Sequence, residues 1–172
     1  MTKRKNPAWS PAELYRHLND DSRFTILDVR NQEEFEAWKV EGKNPIETIN
    51  VPYFDFLELE SEDEDIAAAV ARTLPDQLQD SLPRSGQILA VCAKGDTSMY
   101  VAEGLRRLGY QALNLEGGML AWGNHYETRV VEESSRLTVL QISRPARGCL
   151  SYLLASAGEA MVVDAARHID IY

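Results

Sequence analysis

The chain is organised around residues Gln87 to Leu108, which read Gln-Ile-Leu-Ala-Val-Cys-Ala-Lys-Gly-Asp-Thr-Ser-Met-Tyr-Val-Ala-Glu-Gly-Leu-Arg-Arg-Leu. The unbroken apolar run from Ile88 to Val91 predicts a buried strand, and apolar residues at helical spacing from Met99 onward predict a helix. The loop between them contains Cys92 and Gly95. Such a loop points backbone N–H groups and the positive end of the helix dipole into its mouth. We therefore predict that the Cys92 sulfur faces hydrogen-bond donors.

Composition limits the classes of protein to which the chain can belong. It has 172 residues, 44% of them apolar, which suits one ordinary domain and part of another. The net charge of −9 argues against binding nucleic acid or an anionic membrane surface. The two cysteines, Cys92 and Cys149, lie far apart and indicate no disulfide framework. A reducing, cytoplasmic location is predicted, and no apolar run is long enough to span a bilayer.

Strands alternate with helices from Ser10 to about Tyr126. The predicted strands are residues 23–30, 47–51, 88–91 and 111–115, and the predicted helices are residues 11–18, 33–38, 66–73, 99–108 and 119–122. Alternation of this kind predicts an α/β fold with a mostly parallel sheet and helices on both faces.

The pattern changes after Thr128. Three apolar runs, Leu137–Ile142, Cys149–Leu154 and Ala160–Val163, follow one another without a helix and predict a short antiparallel β-meander. A three-stranded meander leaves faces and edges uncovered. We therefore expect these C-terminal strands to pair with the preceding α/β part of the chain, to swap with a neighbouring chain, or to make the protein self-associate as a homo-oligomer. Cys149, within a strand, is expected to be a core residue.

Chemistry at Cys92 would depend on its thiolate, which is the attacking form of a thiol. Gly95 permits a tight loop, while Thr97 and Ser98 can donate hydroxyl hydrogen bonds inward and cap the helix. Lys94 adds a positive charge. The alternative is that Cys92 is merely a small buried apolar residue at a strand end, and the local pattern leaves both interpretations open.

Other polar residues add less. Asp28 and Arg30 end a predicted strand, where polar groups face the ligand crevice of a parallel sheet, but a buried ion pair holding a loop is an equally good interpretation. The histidines, His17, His125 and His168, lack ligand spacing, so no metal site is predicted.

Three ordered motifs make the chain resemble the rhodanese sulfurtransferases. Cys92–Thr97 resembles their six-residue active loop, which commonly reads Cys-Arg-Lys-Gly-Val-Thr in thiosulfate-using members. Leu27–Arg30 with Glu34-Phe35 resembles their Asp-Val-Arg segment, and Leu115–Trp122 resembles their Leu-x-Gly-Gly-x-x-x-Trp ending. The resemblance implies a rhodanese fold, with Cys92 carrying the sulfane sulfur as a persulfide and with no cofactor.

The same resemblance implies the roles of the remaining site residues. Backbone N–H groups of the loop would stabilise the persulfide, Lys94 and Thr97 would help hold the donor, and Asp28 and Arg30 would support the site. The implied substrate-binding residues are Ala93, Lys94, Gly95, Asp96, Thr97 and Ser98.

Two loop positions depart from the thiosulfate-using pattern. Ala93 replaces an arginine and Asp96 replaces a small apolar residue, so an anionic donor meets less positive charge. A neutral or thiol-bound persulfide donor would suffer less. Related phosphatases and arsenate reductases use a loop one residue longer that ends in arginine, whereas Ser98 occupies that position here, which disfavours their chemistry.

The C-terminal part resembles the opening strands of metallo-β-lactamase-fold hydrolases, which occur fused to rhodanese domains. The residues that carry this resemblance are Ser143–Pro145, Gly148–Leu154 and Ala160–Asp164. We accordingly expect a rhodanese domain over residues 1–128 and the truncated start of a metallo-β-lactamase-like domain over residues 129–172. That fold's histidine-rich metal motif would come after the last residue.

The resulting functional hypothesis is a sulfurtransferase. It would move a sulfane sulfur through Cys92 from thiosulfate or a thiol persulfide to a thiol or cyanide, with a small sulfur donor and a thiol acceptor as its partners. The first alternative is a persulfide carrier or docking module that serves a metallo-β-lactamase-type domain without turning over free substrates. A third hypothesis is a binding-only domain with an inert cysteine.

Overall fold

The computed structural model describes residues 6–172, which divide into two units at Trp122/Gly123. The strands of the first unit are β1 (Ala8–Trp9), β2 (Phe24–Asp28), β3 (Glu47–Asn50), β4 (Gln87–Val91) and β5 (Gln111–Leu115). The helices are α1 (Pro11–Asn19), α2 (Gln32–Ala37), α3 (Ile66–Thr73), α4 (Asp76–Ser81), α5 (Asp96–Arg107) and α6 (Gly118–Gly123), the last of which crosses the division.

The five strands pair in the order β1-β5-β4-β2-β3, and every pairing is parallel. The predicted α/β fold with a parallel sheet is confirmed. Strand β4 is central in the sheet, so the Cys92 loop leaves the middle of its carboxyl edge. The sequence did not predict β1 or α4, because a two-residue strand shows no periodicity and a six-residue helix shows little.

The sheet is buried on both faces, as parallel sheets are. Leu27 and Ile88 share one apolar cluster with Val70 of α3 and Leu105 of α5. The neighbouring strand residues, such as Leu89 beside Ile88, are equally buried and point to the opposite face of the sheet, since side chains alternate along a strand. The continuous apolar run of β4 follows from this double burial.

The predicted start of α1 is confirmed in detail. The Ser10 hydroxyl accepts a hydrogen bond from the Glu13 backbone N–H at 3.2 Å, and the Glu13 carboxylate accepts one from the Ser10 backbone N–H at 2.8 Å. These hydrogen bonds from Ser10 lower the pKa of Glu13 below its ordinary value. Helix α1 therefore begins at Pro11 with its first donors satisfied.

The second unit contains one antiparallel sheet in the order β6-β7-β8-β9. Its strands are β6 (Glu127–Glu133), β7 (Thr138–Arg144), β8 (Cys149–Ser156) and β9 (Glu159–Val163). The three predicted strands are confirmed as β7, β8 and β9. Strand β6 was missed because it reads Glu-Thr-Arg-Val-Val-Glu-Glu, is mostly exposed, and shifts register between Val130 and Glu132.

The expectation that Cys149 is a core residue is wrong, since its side chain is exposed. Cys149 is the first residue of β8, directly after the left-handed Gly148. Burial in this strand centres on Ser151 instead. Membership of a strand therefore does not place a residue in the core when it stands at the strand end.

Two kinds of feature are absent from the part of the chain that the structure describes. None of the helices within residues 6–172 is both long and apolar enough to cross a bilayer. The same residues contain no group of three His, Cys, Asp or Glu side chains placed to hold a metal ion. Two histidines have other contacts, since His17 stacks on Trp9 at 4.2 Å and His125 hydrogen-bonds to Glu127 at 2.6 Å.

Helices α3 and α5 pack closely at Gly104. A Cβ atom there would lie 2.5 Å from Val70 Cγ1 and 3.0 Å from the Ala67 carbonyl oxygen. We expect Gly104→Ala to lower the free energy of unfolding by about 1–2 kcal/mol, because overpacking outweighs the gain in helix propensity. Denaturant unfolding measures the change. A Val70→Ala background removes the contact with Cγ1 but keeps those with the Cβ of residue 70 and the Ala67 carbonyl oxygen, so the penalty there should be smaller but not zero. An undiminished penalty would contradict the packing described.

Candidate active site

The Cys92 side chain lies directly after β4 and is 5% exposed. Its sulfur accepts a hydrogen bond from the Gly95 backbone N–H at 3.1 Å, and the Ser98 hydroxyl lies 3.2 Å away. Gly95 adopts a left-handed conformation, with φ of 91°, which turns the loop back over the sulfur. The loop thus directs one backbone donor and one hydroxyl at a nearly enclosed thiol.

Helix α5 begins at Asp96 with Gly95 as its N-cap and no side-chain capping bond. The prediction that Thr97 and Ser98 cap this helix is therefore wrong. Both residues already lie within the first turn, because the left-handed glycine lets the helix start earlier than the apolar pattern indicates. Thr97 is half-buried, whereas Ser98 is completely buried behind the sulfur.

The turn at Gly117 and Gly118 holds the loop from below. The first turn of α6 donates to loop carbonyls, from Met119 N to the Cys92 oxygen at 2.9 Å and from Leu120 N to the Ala93 oxygen at 3.0 Å. A Cβ on Gly118, whose φ is +57°, would collide with the Cys92 carbonyl oxygen and lie 2.7 Å from the Gly95 nitrogen. Gly118 is therefore required by backbone contact with the loop, whereas a Cβ on Gly117 would meet Ala121 of α6.

Asp28 and Arg30 form a buried ion pair at the end of β2. The guanidinium donates to both carboxylate oxygens, with the shortest contact 2.6 Å, and also to the carbonyl oxygens of Glu34 and Trp38. Of the two interpretations that the sequence allows, a group facing the ligand crevice and a buried ion pair that holds a loop, this arrangement is the ion pair. Arg30 also borders the cavity at Cys92.

A cavity of about 260 Å³ opens beside Cys92. Three exposed loop residues, Ala93, Lys94 and Asp96, surround its mouth. The remaining lining residues are Val29, Arg30, Asn31, Glu34, Tyr53, Phe54, Cys92 and Thr97. The Tyr53 and Phe54 rings lie 3.9 Å apart, and 74% of the Phe54 side chain is exposed. The cavity therefore combines an apolar wall with charges of both signs.

A larger cavity, of about 620 Å³, lies elsewhere. It borders the first residues of β2, β3 and β4, at the amino edge of the sheet, and contains no cysteine. Ligands of open parallel sheets bind outside the carboxyl ends of the strands. We therefore place the candidate site at the smaller cavity, where the thiol is.

Sequence reasoning found the loop but missed Tyr53, Phe54 and Asn114. The two aromatic residues lie in a one-turn helix after β3 that no periodicity indicates. Asn114 is buried at the carboxyl end of β5, and its side-chain oxygen lies 2.7 Å from the Ser98 hydroxyl. A polar residue at the end of a buried strand was the available signal, the same one that identified Asp28.

The geometry suits a nucleophilic sulfur that passes between a charged and a covalently modified state. The Gly95 N–H at 3.1 Å and the Ser98 hydroxyl at 3.2 Å can both donate to a negatively charged Cys92 sulfur, and the sulfur is buried. The adjoining cavity admits a small reactant on the open side.

Substitution of Gly118 tests the contact between the turn and the loop. Gly118→Ala would force Cys92 and Gly95 apart, so we expect alkylation of Cys92 by iodoacetamide to slow at least tenfold, in keeping with the cost of about 1 Å of misplacement. Gly86→Ala is the matched control, because Gly86 also has positive φ but no atom within 4 Å of the added carbon. Equal effects of the two substitutions would contradict a specific contact with the loop.

Comparison with known proteins identifies the family. The model of the Rhodanese-like domain matches residues 10–125. A Bacillus subtilis protein named "Putative sulfurtransferase YtwF" is 26% identical over 113 residues, which are 66% of this chain and 86% of that protein. A rhodanese-like domain protein from Staphylococcus aureus is 29% identical over 68% of this chain and 91% of its own, with a TM-score of 0.49. A protein from Staphylococcus saprophyticus is 22% identical over 69% of this chain and 95% of its own, with a TM-score of 0.50. The chain belongs to the rhodanese-like domain family.

Proposed function

We propose that this protein is a sulfurtransferase that carries a sulfane sulfur as a persulfide on Cys92. The observation that carries the proposal is the sulfur itself, enclosed at the carboxyl edge of the sheet between the Gly95 N–H and the Ser98 hydroxyl. Membership of the rhodanese-like family and the similarity to a protein named as a sulfurtransferase support it.

The reaction divides into two balanced displacements. The Cys92 thiolate attacks the outer sulfur of a donor R–S–SH, a new S–S bond forms, the donor S–S bond breaks, and R–S⁻ leaves. With thiosulfate the leaving group is sulfite. An acceptor thiolate or cyanide then attacks the outer sulfur of the Cys92 persulfide and releases the Cys92 thiolate. No external oxidant or reductant is consumed, and neither step requires a cofactor.

The charges around the cavity favour an uncharged or thiol-bound persulfide as the donor. Lys94 is a cation at the loop mouth, but Asp96 lies two residues away on the same rim and Glu34 lines the cavity. The guanidinium of Arg30 is already bonded to Asp28. A dianion such as thiosulfate therefore gains little, whereas an organic persulfide can also contact the aromatic wall.

A protein thiol is a second candidate acceptor, which corresponds to the carrier hypothesis. Phe54 is 74% exposed and lines the cavity beside Cys92, and an exposed aromatic ring is a common anchor for a protein partner.

The exposed Val130, Met161 and Val162 of the C-terminal sheet support self-association as part of the same proposal. A metallo-β-lactamase-like origin of that sheet, and a cytoplasmic location, stay predictions.

The Cys92→Ser variant tests the enzyme proposal. We expect it to lower the rate of sulfur transfer from an organic persulfide to a thiol by at least about a thousandfold, because the covalent intermediate can no longer form. Cys149→Ser is the matched control and should leave the rate unchanged, since Cys149 is an exposed residue of the other unit. Unchanged turnover in Cys92→Ser would refute the proposal. If the unsubstituted protein gains a persulfide on Cys92 but does not turn over, the carrier hypothesis is favoured instead.

Reversal of the two departures in the loop tests donor choice. We expect Ala93→Arg combined with Asp96→Val to raise kcat/KM for thiosulfate about tenfold or more, by adding positive charge and removing negative charge at the cavity mouth. The gain should shrink as ionic strength rises, because both positions are exposed. An uncharged alkyl persulfide is the control donor, and an equal gain with it would contradict the electrostatic explanation.

A further inference from the structure

The hydrogen bonding behind Cys92 contains an unresolved choice. The Ser98 hydroxyl oxygen lies 3.2 Å from the Cys92 sulfur and 2.7 Å from Asn114 Oδ1. Ser98 is completely buried and Asn114 is 7% exposed. A hydroxyl carries one hydrogen, so Ser98 can donate to the sulfur or to the amide oxygen but not to both.

Two complete arrangements satisfy all three groups. In the first, the Cys92 S–H donates to the Ser98 oxygen, and the Ser98 O–H donates to Asn114 Oδ1. In the second, Cys92 is a thiolate, the Ser98 O–H donates to the sulfur, and the Asn114 amide has turned over so that its NH2 group donates to Ser98. The amide oxygen and nitrogen are nearly equal in size, so turning the amide requires little rearrangement of its surroundings.

We propose that Asn114 is a positioning residue that, through Ser98, matches the hydrogen bonding of the buried site to the protonation state of Cys92. The inference rests on the proposed function, in which the thiolate is the attacking species. Asn114 does not touch the reactant cavity, so its influence passes through the Ser98 hydroxyl.

Asparagine suits this position because it is a donor and an acceptor without a charge. Asn114 faces α5 from β5, on the same side of the strand as the buried Ala112. An ionised aspartate could only accept, which would fix the Ser98 hydrogen on the carboxylate and deprive the thiolate of its hydroxyl donor. An apolar residue would leave the Ser98 O–H without an acceptor in the first arrangement and the Ser98 oxygen without its amide donor in the second.

We call the hydrogen-bonded pair of Ser98 and Asn114 the relay. The relay serves both half-reactions. The thiolate attacks in the first step and leaves in the second, so the second arrangement stabilises one reactant state and one product state. Once the persulfide forms, the inner sulfur carries no charge and Ser98 can return its hydrogen to Asn114. The two arrangements would thus alternate once per cycle.

Other titratable and charged groups also face the thiol, from β2, α2, the turn after β3 and the loop itself. They are Asp28, Arg30, Glu34, Tyr53, Lys94 and Asp96. Five of them line the cavity and the sixth, Asp28, is paired with Arg30, whereas Ser98 and Asn114 are buried behind the sulfur. A comparison between variants that leaves those six groups unchanged isolates the relay.

The test is the pH dependence of Cys92 alkylation in a Cys149→Ser background. We expect Asn114→Asp to move the midpoint of the pH–rate profile upward by about one pH unit, the effect of losing a hydrogen bond to a charged group. In a Ser98→Ala background the same substitution should shift the midpoint by less than half as much. Asn31→Asp places a carboxylate on the cavity wall without contact to Ser98 and should shift it less than Asn114→Asp. An undiminished shift in Ser98→Ala, or an equal shift in Asn31→Asp, would overturn the proposal.

Nuclear magnetic resonance of the unsubstituted chain provides a second test that does not depend on the folding of a variant. The side-chain amide signals of Asn114 should shift with the same pH midpoint as alkylation of Cys92, and Cys92→Ser should abolish that transition. Signals that stay constant through the midpoint would overturn the relay. Neither readout depends on turnover, so a failure of the proposed sulfur transfer would remain distinguishable.

Discussion

The backbone contact between the Cys92 loop and the Gly117-Gly118 turn is the constraint on which the site depends. The first N–H groups of a helix have no partners within the helix. In α6 they donate instead to the loop carbonyl oxygens of Cys92 and Ala93, at 2.9 and 3.0 Å. The same contact leaves no room for a Cβ at Gly118 or Gly95. Because its carbonyls are held from below, the loop presents the Gly95 N–H to the sulfur.

Around this contact the parallel sheet supplies the frame. Strand β4 delivers Cys92 to the middle of the carboxyl edge, and β2 beside it delivers the Asp28–Arg30 pair that fixes the next loop. Strand β5 on the other side brings Asn114 behind the sulfur. Three neighbouring strands therefore bring the Asp28–Arg30 pair, the Cys92 thiol and the buried Asn114 to one edge of the sheet.

Sequence patterns predicted what burial dictates. The buried strand β4 and the capping box at Ser10 were predicted from local residues, and the α/β fold was predicted from the alternation of strands with helices. Patterns failed where tertiary contacts override local signals. The exposed β6 has no apolar face to detect, Cys149 is exposed at its strand end, and α5 begins earlier than its apolar residues because of Gly95. The partnership of Ser98 with Asn114 joins residues on different elements, so spacing cannot reveal it.

The Cys92 persulfide, the intermediate of the proposed sulfur transfer, can be observed directly. The intact protein should be incubated with an organic persulfide, freed of excess donor, and digested for mass spectrometry under non-reducing conditions. We expect a gain of one sulfur atom on the peptide that contains Cys92, removable by cyanide or a thiol, and none on the peptide that contains Cys149. Sulfur on both peptides alike, or on neither, would contradict it.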